Sequence, residues 1–178
     1  MEKEEKAIVL DFLPHGYPLE GKMIPIAQAI GKDHLTLLQL VPRKGIILQL
    51  GDEVYIGEGK RDKIYYIYGR LIYDNLTETA KLQLKEFVDN FVKEQEIKFV
   101  DFFNNSQPIN TRLHQLELLP GFGVKHTKSI LEERDKNPFE NLDDIKKRIP
   151  SLPDPRKAIE KRILEELEGH ERYRLFTA

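Results

Sequence analysis

The residues best suited to chemistry lie in one run, Leu116-Glu117-Leu118-Leu119-Pro120-Gly121-Phe122-Gly123-Val124-Lys125-His126. Two glycines flank one apolar residue between segments of helical spacing. The chain must therefore turn tightly there, and side chains at Gly121 and Gly123 would obstruct the turn. A helix restarting at Val124 points unpaired amide N–H groups outward from its positive end, where an anion, most often a phosphate, fits. Lys125, Thr127 and Lys128 follow directly. Gly121, Phe122, Gly123, Lys125, Thr127 and Lys128 thus form a first candidate site for a backbone phosphate. A tight connection between antiparallel helices also selects glycine, so a packing role competes with the binding role.

A second candidate joins the loop residues Lys60, Arg61 and Lys63 to Tyr66, Tyr68 and Arg70. Strand alternation puts 66, 68 and 70 on one face, where aromatic rings could stack bases beside cationic side chains. A third basic concentration, Lys146, Lys147, Arg148, Arg156, Lys157, Lys161 and Arg162, is diluted by Glu160, Glu165 and Glu166. It reads better as a solvated helix surface with i,i+4 pairs. No catalytic constellation emerges. Cysteine is absent, and the histidines at 15, 34, 114, 126 and 170 show no metal-ligand spacing. Gly57-Glu58-Gly59-Lys60 lacks the spacing of a phosphate-binding loop of nucleotide hydrolases, and no Ser or Thr sits in a nucleophile elbow. The expectation is a non-enzymatic protein with no resident metal and no cofactor.

These residues need elements to hold them. Strand-like runs occur at Ala7–Leu13, Ile24–Ile30, Leu35–Val41, Glu53–Ile56 and Ile64–Tyr73, punctuated by Gly and Pro. Short strands so spaced suggest a small antiparallel barrel or sandwich. Ala80, Leu84, Phe87, Val88, Phe91 and Val92 then trace one apolar helical face starting at a Thr77 cap. Ile97–Phe103 returns to strand-like composition, and Asn104–Pro108 reads as a linker. Helices are expected at 111–118, 124–134 and 141–148, with a fourth starting at Asp154-Pro155 and ending at Gly169. The last two are joined by Ile149-Pro150-Ser151-Leu152-Pro153, a turn without glycine.

With 178 residues, 40% hydrophobic and 33% charged, the chain can bury a core. No run approaches the length of about 20 apolar residues that crosses a bilayer. The charged start Met1–Lys6 lacks the apolar stretch of a secretion signal, and a cytoplasmic location is expected. Net charge is −2; residues 111–178 carry 14 basic and 13 acidic groups, against 14 and 17 in residues 1–110. Any nucleic-acid contact must therefore be a local patch plus backbone amides.

Residues 113–168 resemble a tandem helix-hairpin-helix unit whose first hairpin keeps the Leu-Pro-Gly-apolar-Gly core and whose second has Ser151 and Pro153 in place of the glycines. Through Asp52-Glu53-Val54-Tyr55-Ile56-Gly57, Phe102-Phe103-Asn104 and Arg112–Gly121, the whole chain is similar to an archaeal family of uncharacterised proteins predicted to bind nucleic acid. The resemblance implies an α+β protein of two domains. An OB-like antiparallel β-barrel with one long helix would occupy 1–106, and an all-α tandem helix-hairpin-helix domain 107–178. It also implies amides at Gly121, Gly123 and Lys125 on phosphate oxygens, and a monovalent cation at the hairpin carbonyls. The expected partner is RNA or DNA, bound largely without regard to sequence. A protein-interaction module on the same scaffolds is the alternative.

Overall fold

Short apolar-rich segments build one antiparallel sheet from β1 (Lys6–Leu13), β2 (Ile26–Gly31), β3 (Leu37–Pro42), β4 (Glu53–Tyr55) and β5 (Ile64–Arg70), in the order β4-β1-β2-β3-β5. The computed structural model describes residues 3–18, 20–21 and 23–178, so Met1 and Glu2 of the charged start lie outside the described residues. The sheet curls into a half-barrel whose buried cluster includes Val9, Leu38, Leu40, Val54, Ile56 and Ile64 with the smaller Ala7, Ala27 and Ala29. β4 and β5 are its two edges. Register slips between Val9 and Asp11 in β1, and at two points along the β3–β5 pair, supply the bends that curling needs.

β2 is buried at all six positions, so both of its faces are covered. Its Gln28, fully buried, accepts the Thr77 N–H at 2.9 Å and donates to the Asn75 carbonyl at 2.9 Å. That side chain clamps the start of α1 (Glu78–Glu94) to the sheet. The Thr77 hydroxyl accepts the Ala80 N–H at 3.0 Å, which makes Thr77 the α1 cap.

Two compact units result. One contains the residues up to Phe87 together with Glu166–Ala178; the other is Val88–Glu165. In the first, two buried carboxylates gather backbone amides. Glu4 accepts from Asp33, His34 and Thr36 at the β2–β3 turn, and Glu166 accepts from Leu175, Phe176 and Thr177.

The second unit is helical: the end of α1, α2 (Glu96–Asn105), α3 (Val124–Lys136), α4 (Leu142–Arg148) and most of α5 (Pro155–Glu168). Two expected elements differ. Residues 97–103 form helix, not strand, because Phe99, Val100 and Phe103 are buried along one helical face. Their aromatic and β-branched composition resembles a strand, but packing decides. Asn104 and Asn105 close that helix instead of starting a linker, and the Asn104 amide bonds both the N–H and the carbonyl of Phe139, at 2.8 and 3.0 Å. The boundary expected near 106 therefore falls inside this unit.

Residues 111–118 form only a short 3₁₀ turn at Gln115–Leu118. Here His114 Nδ1 accepts the Leu116 N–H at 3.1 Å, and Glu117 accepts the His114 N–H at 2.7 Å. This capping pair starts the turn at 114 and leaves no helix before it. Among the described residues, no helix is long and apolar enough to cross a membrane.

Candidate functional site

The glycine turn is anchored by its apolar residue. Phe122 is buried, with its ring 6.2 Å from Phe103 and 5.9 Å from His126. It plugs the loop into the core and presents nothing to a ligand. The Phe122 N–H returns to the Leu119 carbonyl at 3.0 Å. Gly121 has φ +83°, a left-handed conformation, and a Cβ there would lie 3.1 Å from Pro153 Cγ. Gly123 is extended, at φ −112° and ψ −168°, with open space around it. Only the first glycine is therefore demanded by the turn, a correction to the expectation for both.

Gly123 is the N-cap of α3, and its polar groups are partly engaged. Its N–H donates to His126 Nδ1 at 3.3 Å, while its carbonyl accepts both the N–H and the hydroxyl of Thr127 at 3.0 Å. The Thr127 hydroxyl is thus used internally, and the Gly123 carbonyl has little capacity left for a cation. The next amides are different. The N–H groups of Val124, Lys125 and His126 make no hydrogen bond within the described residues, and the first turn of α3 holds no acidic residue. Val124 is 72% exposed, and Lys125 and Lys128 are exposed beside these amides. The arrangement offers a helix-dipole positive end, three donors and two ammonium groups, with no carboxylate of its own to neutralise them.

The second turn is chemically closed. Asp154 Oδ1 accepts the N–H groups of Arg156 and Lys157, at 3.0 and 3.4 Å, so a carboxylate already caps α5. The Lys146 ammonium donates to the carbonyls of Pro150 and Leu152. Donors and acceptors that could hold a phosphate and a cation are both taken by the chain itself. Arg148 donates to the carbonyls of Glu133, Asn137 and Pro138 at the end of α3 and lies 4.5 Å over the Phe139 ring; Arg162 donates to Leu118. Much of the third basic concentration is structural.

In the first unit, Arg61 Nε donates to the Gly57 carbonyl at 2.8 Å, and Arg43 Nε to the Arg61 carbonyl at 2.7 Å, so Arg61 shapes its own loop. Lys60 and Lys63 are exposed. The shared face expected for Tyr66, Tyr68 and Arg70 is broken by the register slips. Tyr66 lies opposite Val41 and Arg70 opposite Leu38, residues on opposite faces of β3, while Tyr68 falls at a slip. Tyr65, Tyr66 and Tyr68 are all exposed.

The sequence reading missed Tyr17, whose hydroxyl donates to Gln39 Oε1 at 2.8 Å and lies 3.4 Å from Gln28 Nε2. Its only signal was an aromatic among the glycines and prolines of the β1–β2 connection. Among the described residues, no three His, Asp or Glu side chains converge as metal ligands.

Comparison with known proteins is consistent over the whole chain. The uncharacterized protein MJ0038 of Methanocaldococcus jannaschii is 43% identical over 176 residues, which cover 98% of this chain and 80% of that protein. The crystal structure of Af1531 from Archaeoglobus fulgidus superposes with a TM-score of 0.87 at 45% identity, covering 98% of this chain and 100% of that one. Residues 3–178 match the family described as protein of unknown function (DUF655), and the chain belongs to that family.

Proposed function

We propose that the protein binds nucleic acid, RNA or DNA, as a non-enzymatic cytoplasmic protein that grips the phosphate backbone largely without regard to sequence. In this reading the glycine turn at 119–124 acts as a helix-hairpin-helix grip, and the curled sheet acts as an OB-like surface for the strand. One observation carries it. The start of α3 holds unpaired amides of Val124, Lys125 and His126, beside Lys125 and Lys128, with no carboxylate in its first turn. Asp154 fills the equivalent place on α5 and Asn141 on α4. The Gly123 amide, bonded to His126, has no part in the grip.

Anisotropy titrations against single-stranded and duplex RNA and DNA at low salt test the reading, and no measurable binding to any of the four refutes it. Affinity should fall with salt at a slope of roughly −0.9 per phosphate held on duplex DNA, totalling a few phosphates. Gly123→Asp is the sharpest variant. Its carboxylate fits the open space at the cap and neutralises the helix end, so stability should rise by about 0.5 kcal/mol. Binding should nevertheless fall severalfold, and a variant that binds like the wild type removes the α3 start from the site.

A protein-binding role is the second reading. It is favoured by the exposed Tyr65, Tyr66, Ile67 and Tyr68 on edge strand β5 and the net acidic charge of residues 1–110. Partners retained from source lysate after nuclease treatment would support it over the first.

A further inference from the structure

A cavity of about 460 Å³ in the first unit is lined by Tyr17, Glu20, Gln39, Tyr68, Arg70 and Asn75. Its volume lies within the range of small-ligand sites. The floor is fixed by a chain of hydrogen bonds: Gln28 Nε2 to Tyr17 Oη at 3.4 Å, Tyr17 Oη to Gln39 Oε1 at 2.8 Å, and Gln39 Nε2 to the Arg70 carbonyl at 3.2 Å. Burial above all pushes the Tyr17 phenol up, against a smaller opposing pull from the Gln28 hydrogen bond and with Glu20 and Tyr68 adding to the rise, so Tyr17 stays a neutral donor to Gln39.

Two groups on this lining are unspent. Tyr68 is 54% exposed because the β5 register slips at its position. The Arg70 guanidinium makes no hydrogen bond or ion pair within the described residues, whereas Arg43 and Arg61 in the same unit are both committed to carbonyls. A fixed polar floor, a free aromatic face and a free guanidinium make a site for a flat ring carrying an anion. An aromatic ring stacks a base, and a guanidinium takes phosphate oxygens bidentately.

We propose that this cavity receives one unstacked nucleotide of a single strand, with its base on the Tyr68 ring and its phosphate on Arg70. The proposal rests on the nucleic-acid reading but adds what the α3 amides cannot supply, a preference for single strands over duplex. Bases inside a duplex are stacked on one another and cannot reach Tyr68.

The test uses the full chain with labelled unstructured oligo-U and oligo-dT, and with a duplex of equal length. Tyr68→Ala should weaken single-strand binding about tenfold and leave duplex binding within about twofold. Tyr68→Phe, which keeps the stacking face, should restore it. Arg70→Gln should weaken single-strand binding and reduce the salt slope by about one phosphate, roughly 0.7 for a single strand.

Single-strand affinities unchanged in Tyr68→Ala and Arg70→Gln, but lowered in Gly123→Asp, overturn the cavity while leaving the backbone grip standing. Equal losses on single strand and duplex also overturn it. Wild-type binding to no polymer at all fails the parent reading. Addition of a 5′-mononucleotide then decides the cavity independently: amide NMR shifts at Tyr17, Tyr68 and Arg70 support it, and their absence overturns it.

Discussion

Gly121 and Gly123 read alike in the sequence, yet their backbones ask for different things. Gly121→Ala must hold a left-handed φ with its Cβ 3.1 Å from Pro153 Cγ, and should cost about 1–2 kcal/mol. A denaturation midpoint unchanged from wild type would mean that the turn relaxes freely.

Two ionisable groups in the same unit respond to acid in opposite directions. Burial first, and Arg134 second, hold the His114 imidazole below its ordinary 6.5, against a smaller opposing pull from Glu117. Its Nδ1 can accept the Leu116 N–H only when unprotonated. The unfolded chain therefore takes up this proton first. The stability it contributes is complete above about pH 6.5 and is lost as pH falls toward the lower folded value. Histidine NMR titration should give His114 a midpoint below 6.5, with protection of the Leu116 amide falling in the same window.

Glu160 behaves oppositely. Burial, then the Asp89 carboxyl beside it, push it up to about 6, and its Oε1 is buried without a hydrogen-bond partner among the described residues. The stability that it contributes is complete below about 4.5 and is lost as pH rises through about 6. Glu160→Gln should therefore stabilise the protein at pH 7.5, by about 1 kcal/mol once solvent screening of the half-exposed pair is allowed for. The gain should shrink below pH 5, and a constant gain across that range would show that the charge is not its source.

At the scale of elements, a buried amide and a covered strand explain why α1 starts where it does. Gln28→Leu would keep the bulk of the side chain but leave the Thr77 N–H and the Asn75 carbonyl without their partner. Such a substitution costs about 2–4 kcal/mol for the two orphaned groups, read as a loss of thermal midpoint with hydrogen-exchange protection lost first at the start of α1. Strands and caps were legible in the sequence where the signal is local. Short apolar runs bounded by Gly and Pro mark β1 and β3, and oxygen-bearing side chains at Thr77, Asn141 and Asp154 bind the first amides of their helices.

What was not legible depends on distant partners. Helix α2 exists because Phe99 and Phe103 meet Phe91 and Phe122 across the fold. The chain before Leu119 is a 3₁₀ turn because His114 and Glu117 cap each other. In β5, the slips that separate Tyr66 from Arg70 are set by pairing with β3, which no alternation count within one strand can detect. The candidate turn itself was legible, but its division of labour was not. Phe122 and Thr127 serve the fold, the Gly123 N–H is spent on His126, and the free donors at the start of α3 are the N–H groups of Val124, Lys125 and His126.

Over the whole molecule, the chain leaves its first unit after Phe87 and returns to it at Glu166. Composition suggests a cut near residue 106, and that cut damages both units. The fragment 1–106 would lose Glu166 and the Leu175–Thr177 amides bound to it, together with the Ala178 N–H that donates to the His34 carbonyl at 2.9 Å. The fragment 107–178 would lose Phe99 and Phe103, the Asn104 clasp on Phe139, and Glu96, whose carboxylate accepts the Leu142 N–H at 3.2 Å. Removing buried aromatics of this size costs about 3–5 kcal/mol each, enough to exhaust the stability of a fragment this small. Circular dichroism on heating should therefore show one cooperative transition for the intact chain and broad, non-cooperative melting for 107–178. A sharp transition in that fragment would show that the glycine turn and its supporting helices fold without α2, and the proposed grip could then be assayed in isolation from the sheet.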